Sequence, residues 1–124
     1  MFVQEYETRW SLEDVPDAAW LSSVYADEVD YYGRRSTRAS VVAEKQAFAA
    51  KWPQRSYTVE PTSMIARCDV AVCTVTGVVH FTVRGNGKGL KQGVATFGYS
   101  LAADGRSFRI IGESGRVLQR ETER

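Results

Sequence analysis

Asp30 and His80 are the acid–base pair that this sequence offers most directly. A carboxylate and an imidazole can share a proton-transfer step when both reach one substrate, and an imidazole titrates near neutrality. The plainer account is preferred: Asp30 caps or solvates a strand end, and His80 sits half-exposed on the more polar face of its strand. Other chemistries are poorly served. His80 is the sole histidine, and no carboxylates are spaced with it as a metal site requires, so neither metal nor cofactor is expected. No Gly-x-Ser-x-Gly elbow occurs, and Gly112-Glu113-Ser114-Gly115 reads as a bulge-like turn. Gly85-x-Gly87-x-Gly89 joins two strands and opens no helix, which excludes a phosphate loop. Cys68 and Cys73 bracket Asp69-Val70-Ala71-Val72, a four-residue hairpin loop. A bridge forms there if the Cα atoms lie within about 7 Å. Bridged cysteines imply an oxidising, extracytoplasmic compartment, and reduced thiols a cytoplasmic one. A loop so short adds little stability.

The elements that must position these groups follow from periodicity. Val3, Tyr6 and Trp10 fall on one face of a short helix. Asp14-Val15-Pro16 is a restart signal for a second helix, striped by Trp20, Leu21, Val24 and Tyr25. Val29 to Tyr32 is a short strand closed by Gly33, and the basic stretch Arg34 to Arg38 is expected to be a loop. Thr37 is the expected N-cap of a third helix running from Arg38 to about Lys51. Val41, Lys45, Phe48 and Trp52 share one side of it, and Pro53 stops it.

Beyond Pro53 the period changes from helical to alternating. Tyr57, Val59, Pro61, Ser63 and Ile65 alternate with polar neighbours, with Pro61 marking a bulge or an edge. A long strand spans Val70 to about Val83, with Gly77 marking a bend or bulge. The stretch Gly85 to Gly89 turns it. Ala95, Phe97, Tyr99 and Leu101 alternate in the next strand, which Asp104-Gly105 turns. The last strand runs from Phe108 to about Leu118, broken at Ser114-Gly115, and a charged tail, 121–124, frays. Three early helices followed by an antiparallel meander predict a single α+β domain over 1–120. Its strongly curved sheet wraps the helices into a cone with a pocket at the open end.

Composition excludes several functions. The chain has 124 residues and a net charge of +1, which gives no electrostatic case for nucleic acid. No apolar run approaches the ~20 residues that span a bilayer, and Met1 to Glu5 lacks a signal-peptide pattern, so no membrane insertion is expected.

The element order, with Tyr25-Ala26-Asp27-Glu28-Val29-Asp30-Tyr31-Tyr32-Gly33 after the second helix, resembles the nuclear transport factor 2-like superfamily, also called cystatin-like. That superfamily includes ketosteroid isomerases, scytalone dehydratase, SnoaL-like cyclases and non-catalytic modules. Tyr31-Tyr32-Gly33, Phe48 to Tyr57 and Cys68 to Gly77 look closer to a bacterial branch. There the domain is a C-terminal accessory module of larger, sometimes caspase-like, proteins. The isomerase comparison matches Tyr6 through Val3-Gln4-Glu5-Tyr6. The base position, however, falls at about Gly33, and Gly93 to Leu101 holds no carboxylate.

The resemblance therefore implies a non-catalytic module that binds a small molecule or a partner protein. The alternative is a SnoaL-like or dehydratase-like enzyme using Asp30, His80 and Tyr6. Tyr6, Trp10, Trp20, Tyr32, His80, Phe97 and Tyr99 are the candidate pocket-lining residues, although aromatics in a small domain more often simply fill its core. Arg34, Arg35 and Arg38 form a basic cluster that an anionic ligand could use, and that more simply is a solvated loop. Folds of this kind dimerise through the sheet face, so a homodimer is expected.

Overall fold

A computed structural model describes residues 2–12, 16–85, 87, 89–104 and 107–123. Helix α1 (Phe2–Trp10) buries Val3, Tyr6, Glu7 and Trp10, the expected face with one acidic addition. Helix α2 (Ala18–Val24) starts at Asp17, whose Oδ1 accepts from the Ala19 N–H. Asp14 and Val15 lie outside the described residues. Helix α3 (Arg38–Lys51) begins at the Thr37 cap, which accepts from the Ser40 N–H. The helix ends before Pro53, as the missing donor dictates.

The strands are β1 (Tyr25–Tyr31), β2 (Arg34–Thr37), β3 (Gln54–Val59), β4 (Ile65–Cys68), β5 (Val72–Gly85), β6 (Gly89–Asp104), β7 (Ser107–Ser114) and β8 (Val117–Glu123). They form one mixed, curved, unclosed sheet of order β2-β1-β7-β6-β5-β3, with β4 on β5 and β8 on β6. The α+β cone is as expected, with a parallel β1–β7 pair added to the antiparallel set. Helix α1 packs on β3, α2 on β1, β7 and α3, and α3 on β1 and β2. Leu21, Tyr25, Val29, Val41 and Ile110 are the sealed centre of the core between helices and sheet.

Several local expectations need correction. Residues 34–37 are a strand rather than a loop. Tyr32 (φ 52°) and Gly33 (φ 82°) form a two-residue turn of positive φ, whose twist suits a tight hairpin and pairs Tyr31 with Arg34. The alternating run after Pro53 is two strands, because Pro61 opens a short 3-10 turn (Pro61–Ser63) between β3 and β4. Gly77 makes no bulge, since β5 and β6 stay in register through Gly77↔Phe97. A Cβ at Gly77 would stand 2.7 Å from Phe97 Cζ, so the glycine makes room for that ring.

The irregularities lie elsewhere: Ile111 of β7 is extra opposite Ser100 and Leu101, Leu118 of β8 is extra opposite Val94 and Ala95, and β1 shifts against β7 between Tyr25 and Asp30. The final strand breaks after Ser114, as expected, and its second half continues past Leu118 to Glu123 against β6. Asn86, Lys88, Gly105 and Arg124, which the turn and tail expectations include, lie outside the described residues.

Cys68 and Cys73 are cross-strand partners joined by a disulfide. Asp69 Oδ1 accepts from the Ala71 and Val72 N–H groups and shapes the turn between them.

Candidate functional site

The last strand switches register at the site. Upstream, β7 pairs with the second half of β6, and downstream β8 pairs with the first half. The Thr96 N–H donates to the Arg116 carbonyl at the seam. Just before it stands Glu113, whose Cα neighbours are Tyr99 on β6 and Tyr31 on β1. A bulge at Ile111 breaks the alternation of β7, so that Glu113 and Ile110, three residues apart, are both buried.

Glu113 is buried, with 4% of its surface exposed, and is well satisfied. Lys45 Nζ donates to its Oε2 at 2.7 Å, Tyr25 Oη to its Oε1 at 2.6 Å, and Tyr32 Oη to Oε2 at 3.3 Å. The Tyr6 and Tyr25 hydroxyls meet at 2.6 Å behind them. The Lys45 ammonium also lies 5.1 Å from the Trp10 ring centre and 5.7 Å from that of Tyr31, a favourable placement over aromatic faces. Burial pushes the Lys45 ammonium toward its neutral form. The Glu113 carboxylate and the tyrosines around it outweigh that, and hold Lys45 well above the ordinary lysine value. Burial, above all, pushes the Tyr6, Tyr25 and Tyr32 hydroxyls upward, so these groups stay protonated.

A second carboxylate enters from α1. Glu7 is buried and accepts from Tyr99 Oη at 2.6 Å, the one hydrogen-bond partner of its carboxylate among the described residues. Burial raises its pKa to about 7, against the lowering effect of the Tyr99 hydrogen bond and of Lys45. Buried Arg55 on β3 supports this corner, donating to the carbonyls of Trp10, Leu12 and Trp52. Its guanidinium lies 4.6 Å from the Trp10 ring centre.

These groups border a cavity of about 510 Å³, within the size range of small-molecule sites. Trp10, Tyr31, Tyr57, Phe97 and Tyr99 supply aromatic wall; Glu7, Lys45 and Glu113 are the charged groups inside; Phe48, Arg116 and Val117 also border it.

The residues singled out in the sequence divide cleanly. Trp10, Tyr32, Phe97 and Tyr99 line the cavity. Tyr6 lies behind it in the hydroxyl chain, stacked on Trp20 at 5.6 Å, and Trp20 does not reach the lining. Asp30 is exposed, and so is His80, which pairs with Glu60 at 2.7 Å on the outer surface. Asp30, His80 and Tyr6 are not brought together. Arg35 pairs with Glu28, and Arg38 with Asp27 and the Tyr25 carbonyl, so most of the basic cluster is already engaged by its own neighbours.

Glu7, Lys45, Arg55 and Glu113 were missed by sequence reasoning, although the first three carried a signal. Glu7 follows the helical period of Val3 and Trp10, and Lys45 shares a side with Val41 and Trp52. Arg55 alternates in step with Tyr57 and Val59.

No protein-family model and no curated protein sequence matches the chain. Solved structures do. A candidate scytalone dehydratase of Novosphingobium aromaticivorans superposes with TM-score 0.79 at 8% identity, covering 97% of this chain and 81% of that one. A Caulobacter vibrioides protein with a cystatin-like fold gives 0.73 at 10% identity, covering 94% and 84%. A candidate dehydratase of the nuclear transport factor 2-like family from Streptomyces avermitilis gives 0.71 at 12%, covering 82% and 84%. At such identities the likeness establishes the fold: this chain has the nuclear transport factor 2-like, cystatin-like architecture.

Proposed function

We propose that this domain is a non-catalytic module that binds a small molecule inside its cone. The observation that carries the reading is the cavity itself, with aromatic walls and an ion pair that is satisfied before any ligand arrives. A site of this kind holds apolar surface and orients it with few polar groups. Lys45 and Glu113 compensate one another, and the tyrosine hydroxyls around Glu113 are committed to it, so they serve as rigid walls rather than as reagents.

A second reading is favoured by Glu7. A carboxyl with a pKa of about 7, bordering a cavity, suits a general acid or base. It replaces Asp30 and His80 as the residue on which an enzyme of the dehydratase or isomerase kind would depend.

A thermal-shift screen against neutral aromatics, ketones and anions tests the binding reading. A ligand at 100-fold excess over its Kd should add about 2.7 kcal/mol of stability. A panel without any hit, with the cavity wall intact, would count against a small-molecule role. Hits that are consumed by the wild type and spared by Glu7→Gln would move the reading to an enzyme.

The expected homodimer through the sheet face remains part of this proposal. Exposed Ile65, Val117 and Leu118 on the sheet strands are apolar surface it could cover. A monomeric mass by light scattering at micromolar concentration would remove it. The Cys68–Cys73 bridge supports an extracytoplasmic setting.

A further inference from the structure

Glu7 differs from the other charged groups in the cavity. Lys45 and Glu113 satisfy one another, and buried Arg55, outside the lining, donates to backbone carbonyls. Glu7 borders the same space, and among the described residues only the Tyr99 hydroxyl bonds to its carboxylate, on one oxygen. No buried side-chain oxygen among the described residues lacks a partner, so the second Glu7 oxygen keeps some accessible surface, and the residue borders the cavity. Protonating Glu7 removes one negative charge from the buried part of the lining, where Lys45 and Glu113 are already paired with each other.

We propose that the cavity takes up an uncharged aromatic molecule together with a proton on Glu7. The inference rests on the ligand-binding reading above and adds to it the class of ligand and the way its uptake is controlled. A neutral ring seated against Trp10, Phe97 and Tyr99 displaces the water that solvates the second oxygen. An ionised carboxylate left dry there is costly. The protonated acid loses far less, and its hydroxyl can donate to a carbonyl or hydroxyl oxygen of the ligand. An anionic ligand is disfavoured deep in the cavity, because Lys45, the ammonium there, is already held by Glu113 and the other bordering cation, Arg116, is solvent-exposed.

Ionisable side chains face Glu7 from several elements. From β6 comes Tyr99, from α3 Lys45, from β7 Glu113, from β3 Tyr57, and from α1 itself Tyr6. The tyrosines and Lys45 are held above their ordinary values, well clear of neutral pH. The Glu7 carboxyl itself stands at about 7. His80 is on the outer surface with Glu60.

The experiment is calorimetric titration of the whole chain with 2-naphthol, neutral across the range, and with 2-naphthoate as its anionic counterpart. For a ligand that enters only over protonated Glu7, affinity for 2-naphthol falls about tenfold between about pH 6 and pH 8. Titration in two buffers of different ionisation enthalpy should then show nearly one proton taken up per ligand at about pH 8. Glu7→Gln keeps the acceptor for Tyr99 and should bind at the low-pH affinity throughout. His80→Gln should leave the linkage unchanged.

A flat pH profile with wild-type binding intact, or a profile that survives in Glu7→Gln, overturns the proton linkage and leaves the ligand-binding reading standing. Tighter binding of 2-naphthoate than of 2-naphthol overturns the ligand class. No binding of either compound at either pH overturns both this inference and the reading under it.

Discussion

Lys45 Nζ on α3 and Glu113 Oε2 on β7, 68 residues apart in sequence, meet at 2.7 Å inside the cone. The contact ties the longest helix to the strand that separates β1 from β6. Both side chains are almost wholly buried, so the charges are compensated locally rather than by water. The lysine ammonium lies over the Trp10 and Tyr31 rings, and the carboxylate is held by Tyr25 and Tyr32.

Removing one member of this pair should cost more than removing both. Lys45→Met leaves Glu113 buried with hydroxyl donors alone, and a cost of about 3–5 kcal/mol is expected for an orphaned buried charge. Glu113→Gln strands the Lys45 ammonium and should act in the same direction. Lys45→Met with Glu113→Gln should cost clearly less than the sum of the two single changes. Urea unfolding of the four proteins closes the cycle, and additive losses would mean that the pair is not coupled.

Glu7 makes stability depend on pH with a defined sign. Its carboxyl is raised from 4.5 to about 7 by burial, so the folded chain still holds this proton where the unfolded chain has lost it. Stability at this site is therefore full below about pH 4.5 and declines as pH rises toward about 7. The loss is on the order of 3 kcal/mol. Glu7→Gln should abolish this contribution, making the variant more stable than wild type at about pH 8 and similar to it near pH 4.5. Denaturant midpoints at the two pH values decide it. Equal differences at both would show that Glu7 does not titrate in this window.

Much of the fold was legible because it is local. Thr37 followed by a helical stripe and stopped by Pro53 fixes α3, and the alternation of Phe97, Tyr99 and Leu101 fixes the inner face of β6. The parallel pairing of β1 with β7 has no local signature, since it joins segments at opposite ends of the chain. The aromatic wall was also legible, because Trp10, Tyr32, Phe97 and Tyr99 are of a type that lines pockets. The charged interior was not. Glu113 in a Gly-Glu-Ser-Gly run looks like any turn residue, and only the distant Lys45, Tyr25 and Tyr32 make its burial tolerable. His80 misled for the opposite reason: its side chain is chemically versatile, but the pleat of β5 points it outward beside Glu60.

Gly77 should prove intolerant of a side chain because of what faces it. A Cβ there would lie 2.7 and 2.8 Å from two atoms of the Phe97 ring and 3.2 Å from Ser63 Oγ. Phe97 is buried and packs on Tyr99, so its ring must tilt into the cavity. Gly77→Ala is expected to cost about 1–3 kcal/mol and to weaken ligand binding. Adding Phe97→Leu should relieve the overlap and recover part of the stability lost by Gly77→Ala. Thermal unfolding of the single and double variants tests this, and an unchanged Tm for Gly77→Ala would show that the ring moves freely.

The Cys68–Cys73 bridge should matter little to stability and not at all to the cavity. It closes the turn between β4 and β5 over a separation of 5 residues, and neither cysteine lines the site. Loop-closure entropy for so short a segment amounts to about 2 kcal/mol, and Asp69 already orders the same turn through the Ala71 and Val72 N–H groups. The Cys68→Ser/Cys73→Ser variant should therefore lose at most about 2 kcal/mol. Its affinity for a cavity ligand should match that of wild type. A larger loss, or a change in ligand affinity, would show that the β4–β5 hairpin is coupled to the cone through Val75 and Val79, the inner-face residues of β5.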